Sequence, residues 1–188
     1  ITDRRPTMLT LRMSLPYSAA ELDAAINLTV NSVDHADAYI RPVAWRGDEA
    51  IGIDPGGTFV HVPIVVLPWT MKVPKASIRL HLSRWARAAP NMLPTQAKAS
   101  CHYVAGGLAL TEAKAKGFDD ALLLDHQGMV AESTGSNIFM VRDGTLHTPL
   151  ADTFLNGITS QTVLKIAADL GIDTIVGRIT PADLLTAD

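Results

Sequence analysis

Apolar side chains recur at helical spacing over residues 18–35, where Leu22, Ala25, Ile26, Thr29, Val30 and Val33 fall three and four positions apart. Ser18 and Glu21 precede them in a capping-box pattern, the hydroxyl facing the amide three residues on and the carboxylate facing back. Asp34-His-Ala-Asp37 closes this helix, and residues 38–45 read as a strand. Turn signals follow at Arg46-Gly-Asp-Glu and at Asp54-Pro-Gly-Gly57. The Val/Ile-rich stretch 58–67 predicts a largely buried strand, with Pro63 marking an edge or bulge. Residues 68–74 form a connector, 77–86 alternate imperfectly as another strand, and 88–94 are loop.

The second half mixes strands and helices. Residues 102–116 predict a helix stopped by Gly117, and 121–125 a short buried strand followed by a second one reaching Glu132. Residues 137–141 and 145–148 flank Arg142-Asp-Gly, a hairpin signal because Asp-Gly suits a primed turn. A helix over 159–170 turns Val163, Ile166, Ala167 and Leu170 inward, with Gly171 beyond its end. Residues 172–178 make a last strand, and Thr180-Pro-Ala-Asp starts a further helix. This order predicts an α+β architecture, with a domain boundary in the 68–74 connector.

Composition narrows the function classes. The 188 residues are 47% apolar and 19% charged, as in a globular protein with a real core. A net charge of −3 provides no basic field for nucleic acid or an anionic membrane. Cys101 is the single cysteine, which forbids an internal disulfide and suits a reducing, cytoplasmic setting. No apolar run reaches the ~18 residues of a membrane helix, and the polar start of the chain lacks a signal-peptide pattern. The first residue is not Met and the last ones stop inside a starting helix, so sequence is expected to be missing at both ends.

Four places carry candidate chemistry. Lys98 sits among Gln96, Ala97, Ala99 and Ser100, where partial burial would favour a neutral amine. Tyr103 follows five residues later and can share its pocket if a helix begins near Ser100. Glu132 ends a strand before Ser133-Thr-Gly-Ser136, and a buried carboxylate there needs a partner such as a protonated ring nitrogen. Gly157-Ile-Thr159 opens a helix whose free amides make an anion site. Singly, these are also an ordinary surface lysine, a core tyrosine, a loop acid and a helix cap. Their order and spacing make the case.

That order resembles the fold-type IV, class IV aminotransferases, most of all the branched-chain amino acid aminotransferases. The resemblance rests on Ala38-Tyr-Ile-Arg-Pro-Val43, Pro94-Thr-Gln-Ala-Lys-Ala99 through Tyr103, Ala121-Leu-Leu-Leu-Asp125, Ala131-Glu-Ser-Thr-Gly-Ser-Asn-Ile-Phe139, Val141-Arg-Asp-Gly144 and Asn156-Gly-Ile-Thr159. It implies two α/β domains joined by an interdomain loop: a partial small domain at 1–67, the loop at 68–75 and a partial cofactor-binding domain at 76–188. It implies pyridoxal 5'-phosphate (PLP), with Lys98 forming the Schiff base and Glu132 pairing with the pyridinium nitrogen. Tyr103 would bond the ring hydroxyl, and Leu155 would pack on the ring. Gly157, Ile158 and Thr159 would bind the phosphate, joined by Arg4. Tyr39 and Arg41, on one side of a strand, would bind substrate carboxylates, with Trp69 beside the side-chain pocket. The implied reaction passes an amino group from leucine, isoleucine or valine to 2-oxoglutarate in a homodimer or higher homo-oligomer, without a metal.

The chain departs from the family pattern in several places. Ser136 replaces an acid, Ser160 replaces a basic residue near the phosphate, and residues 99–102 read Ala-Ser-Cys-His. The connector after Trp69 is short, and the family's first strands and C-terminal Thr-rich turn are absent. Rival readings are an (R)-amine or D-amino acid aminotransferase, an aminodeoxychorismate lyase, or a non-catalytic homologue.

Overall fold

The computed structural model describes residues 5–34, 37–69 and 75–188, which divide into two units, 1–74 and 75–188. Arg4, expected at the phosphate, lies outside the described residues.

In the first unit, helix α1 (Arg5–Thr10) precedes α2 (Ala19–Asn31). The capping box forms in full: Glu21 N–H donates to Ser18 Oγ at 3.2 Å, and Ser18 N–H donates to Glu21 Oε2 at 2.8 Å. The expected strand at 38–45 is two, β1 (Ala38–Pro42) and β2 (Trp45–Arg46). The stretch 58–67 likewise breaks at Pro63, which has no amide hydrogen to give a ladder, into β3 (Val60–His61) and β4 (Ile64–Pro68). β1 pairs antiparallel with β4, and β2 with β3. The expectation that 58–67 is largely buried fails: β4 is two-stranded with β1, so Val65 and Leu67 stay exposed.

The second unit holds two three-stranded sheets. In one, β5 (Leu80–Ala86) runs parallel to β6 (Asp120–Leu124), which pairs antiparallel with β7 (Val130–Ser133). In the other, β8 (Met140–Arg142) and β9 (Thr145–Pro149) form a hairpin, and β10 (Thr174–Gly177) lies parallel to β9. Asp143 and Gly144 both have positive φ, 51° and 74°, as the two-residue primed turn requires.

β6 is the centre of the core because it is covered on both faces. Ala121 and Leu123 point to one side, against Ala109 and Ala113 of helix α3 (Tyr103–Ala115), with Trp85 and Phe118 around them. Leu122 and Leu124 point to the other side, among Val130, Met140 and Ile179. Strand alternation sorts these two sets. Small residues let α3 lie close to the strands: a Cβ on Gly106 would come 3.1 Å from the Thr134 carbonyl oxygen. A 3-10 turn over Ser100–His102 leads into α3.

Helix α4 (Ile158–Asp169) crosses from β9 to β10. α3 and α4 both stop on a glycine with φ near +70° to +80°, Gly117 and Gly171, where Phe118 N–H bonds Ala113 O and Ile172 N–H bonds Ala167 O. Of the inward set expected on α4, Ala167 is buried and Val163 half-buried, whereas Ile166 and Leu170 are exposed. Periodicity finds an apolar stripe, but within this unit only its Ala167 edge is covered. The helix expected from Thr180 is a 3-10 turn, Asp183–Thr186, whose first N–H donates to Thr180 Oγ1 at 3.2 Å. No described helix is long and apolar enough to cross a membrane.

Candidate active site

The second unit gathers the ends of several elements around Glu132. β7 delivers this carboxylate with its side chain 12% exposed. Burial penalises its charge and pushes its pKa from 4.5 up to about 6, while the nearby Arg87 and Lys98 charges pull it back down. Arg87, one residue beyond β5, brings Nε to 3.0 Å from Glu132 Oε1. The pair is close but misaligned, so that Nε has no hydrogen-bond partner. The guanidinium is anchored elsewhere: Nη1 donates to His102 O at 2.8 Å and Nη2 points to Ser133 O at 3.5 Å.

Lys98 lies on the loop between β5 and the 3-10 turn, with Nζ 5.8 Å from the centre of the Tyr103 ring. The expected helix start near Ser100 does bring lysine and tyrosine together. Partial burial of Lys98 is not observed: the side chain is exposed, because the turn that buries Ala97 at 2% points residue 98 outward. Tyr103 is exposed too, not a core residue.

α4 opens on Gly157 as its N-cap, which brings no capping side chain to the amides of Ile158 and Thr159. Asn137 fixes this corner. Its Nδ2 donates to Leu155 O at 3.3 Å and reaches Glu132 Oε2 at 3.5 Å, and a Cβ on Gly157 would lie 2.3 Å from its Oδ1. An isolated bridge between Glu132 and Asn137 sets that approach. Glu132, Leu155 and the Gly157–Ile158 helix start are thus linked through one amide side chain.

No spacing pattern in the sequence points to a role for Arg87 or Asn137. An arginine inside Trp85-Ala-Arg-Ala-Ala is an unusual charge in an apolar stretch, and Asn137 closes the Ser133–Ser136 turn, so both left a trace.

The first unit carries its own cluster. Tyr39 and Arg41 share a face of β1, where Arg41 Nη2 donates to Tyr39 Oη at 3.0 Å and Trp69 stacks on Tyr39 at 5.2 Å. Among the described residues, no group of three His, Cys, Asp or Glu side chains is placed to hold a metal ion.

The class IV amino-transferase family model matches residues 5–188, nearly the whole chain. This chain belongs to the class IV aminotransferases. It is 44% identical over 169 residues to a probable branched-chain-amino-acid aminotransferase of Rickettsia felis, covering 90% of this chain and 58% of the relative. Its structure is similar to the branched-chain amino acid aminotransferase of Thermobaculum terrenum in its PLP form (TM-score 0.87, 31% identity, 97% of this chain and 61% of the other). It is similar also to the branched-chain aminotransferase of Thermoproteus uzoniensis with norvaline (TM-score 0.91, 37% identity, 97% and 62%). The chain spans about three fifths of the length of the curated relatives it matches. Its fold is the class IV aminotransferase fold.

Proposed function

We propose that this class IV aminotransferase uses PLP to move an amino group between branched-chain L-amino acids and 2-oxoglutarate. The observation that carries the reading is Glu132: a buried carboxylate, met by a misaligned Arg87 and a distant Asn137 amide, near the Lys98 amine. The residues present fit the cofactor. An amine, a phenol, a buried acid and an uncapped helix N-terminus are the donor and acceptor set that PLP needs.

When bound, PLP supplies an electrophilic carbon and an electron-withdrawing pyridinium. Lys98 would hold the cofactor through its amine and would then carry the proton between the substrate Cα and the cofactor carbon. Glu132 would accept the hydrogen of the ring nitrogen, and the positive Arg87 pulls the pKa of that carboxylate down against its burial. Tyr103 would bond the ring hydroxyl, Leu155 would pack on the ring, and the amides of Gly157, Ile158 and Thr159 would receive the phosphate, with Arg4 as its arginine. Tyr39 and Arg41 bind substrate carboxylates and Trp69 lines the apolar side-chain pocket; the Arg41–Tyr39 bond and the Trp69 stack support a preformed group. The enzyme is cytoplasmic and homodimeric in this reading, and fully exposed apolar side chains such as Ile51 and Ile53 support an assembly.

The test is the visible spectrum of the purified protein with PLP, before and after L-leucine. Loss of the visible band on adding L-leucine is expected. A band that ignores L-leucine and responds to a D-amino acid or (R)-amine would move the protein to a different substrate class.

A further inference from the structure

The Lys98 loop is tied down on both sides by bonds that the proposed chemistry does not use. The turn 94–97 closes through Ala97 N–H to Pro94 O at 2.8 Å, and His102 Nε2 meets the same carbonyl at 3.1 Å. A carbonyl only accepts, so His102 carries its proton on Nε2. On the other side, the two corner residues reach the loop between β9 and α4. Thr95 Oγ1 donates to Asp152 O at 3.0 Å. Gln96 Nε2 donates to Ala151 O at 2.7 Å and to Phe154 O at 3.0 Å. Thr95, Ala97 and Phe154 are all buried, so the loops are packed together where they are bonded. Both partners of Gln96 are acceptors, so the position needs a donor with two hydrogens.

We propose that Gln96 is a positioning residue whose carboxamide clamps the Lys98 loop to the 150–157 loop, holding the amine and the α4 amides at one spacing. The proposal rests on the PLP reading above. PLP has a fixed span from its aldehyde carbon to its phosphate, so a fixed spacing is a preorganised site and raises affinity. A tether that served stability alone would not distinguish PLP from pyridoxal, which lacks the phosphate.

The experiment compares equilibrium binding of PLP and of pyridoxal to the full protein and to its Gln96→Ala, Gln96→Glu and Gln96→Lys variants, with thermal unfolding of each unliganded protein. The readout is the phosphate advantage, the ratio of the two dissociation constants. It is expected to fall about tenfold in Gln96→Ala, the scale of losing neutral hydrogen bonds. It falls further in Gln96→Glu, where a carboxylate faces two carbonyls. Gln96→Lys keeps it, since an ammonium can donate to both. Equal weakening of both ligands, or a lowered Tm with an unchanged ratio, would overturn the clamp and leave the PLP reading intact. Absence of PLP binding by the unaltered protein would overturn both.

Discussion

Two carboxylates of the second unit are built in opposite ways. Asp119, just before β6, receives a hydrogen bond from Lys75 and another from Arg79 N–H at 2.9 Å, which together hold its pKa down at about 2. Glu132, on β7, is buried beside a misaligned Arg87, and its pKa is pushed up to about 6. The Asn137 amide faces it from 3.5 Å, long for a hydrogen bond. Asp119 has close, aligned donors, whereas Glu132 has opposite charge nearby and poorly aligned donors. A fold gains stability from the first arrangement. The second costs it stability and leaves a place for an incoming N–H, which is what a cofactor site requires.

The comparison breaks most sharply at the two acids themselves. Glu132→Gln is expected to lower transamination about a thousandfold, the range for removing one preorganised electrostatic partner. Asp119→Asn should leave the rate within about twofold, because surface ion pairs contribute little. Steady-state rates with L-leucine check both, and a comparable loss in the two variants would erase the distinction.

Next in size is Arg87→Met. It leaves Glu132 buried without its counter-charge, and denaturant unfolding at pH 8 should show a loss of about 3 kcal/mol. Carbon-13 NMR of the glutamate carboxyl should show Glu132 titrating higher in this variant than in the unaltered protein.

The pH dependence of stability sharpens the contrast further. Glu132 has a folded pKa above its unfolded value, so its contribution is fully present below pH 4.5 and is lost as pH rises through about 6. The size is about 2 kcal/mol. Asp119 has a depressed pKa, so its contribution is present above pH 3.8 and is lost as pH falls through about 2. Subtracting the stability profiles of Glu132→Gln and of Asp119→Asn from that of the unaltered protein should isolate two windows of opposite slope. The smallest effect belongs to Lys75→Ala: the Lys75 side chain is 68% exposed, and Tm should fall by no more than about two degrees.

What the sequence made legible was local. The Ser18–Glu21 box, the Asp143-Gly144 turn and the glycine stops at Gly117 and Gly171 each depend on residues within a few positions, and each formed as expected. The Lys98–Tyr103 approach is also local, resting on a 3-10 turn between them. The Arg87–Glu132 pair was not legible, because its partners lie on different strands and no spacing rule links them. Exposure was hard to read for the same reason. Ile166 and Leu170 lie on an apolar stripe, and Val65 and Leu67 in an apolar strand, yet what covers such a face is a tertiary matter. The small, weakly charged neighbours of Lys98 predict a partly buried setting, but the turn sends Thr95 and Ala97 inward and leaves Gln96 and Lys98 exposed.

The central claim is that Lys98 is the amine that holds PLP. Its most direct test is borohydride reduction of the protein incubated with PLP, followed by peptide mass mapping. The account predicts one phosphopyridoxyl mass on the peptide bearing Lys98, with none in Lys98→Ala. A modification spread over exposed lysines such as Lys75 and Lys165, or the same yield in Lys98→Ala, would contradict it.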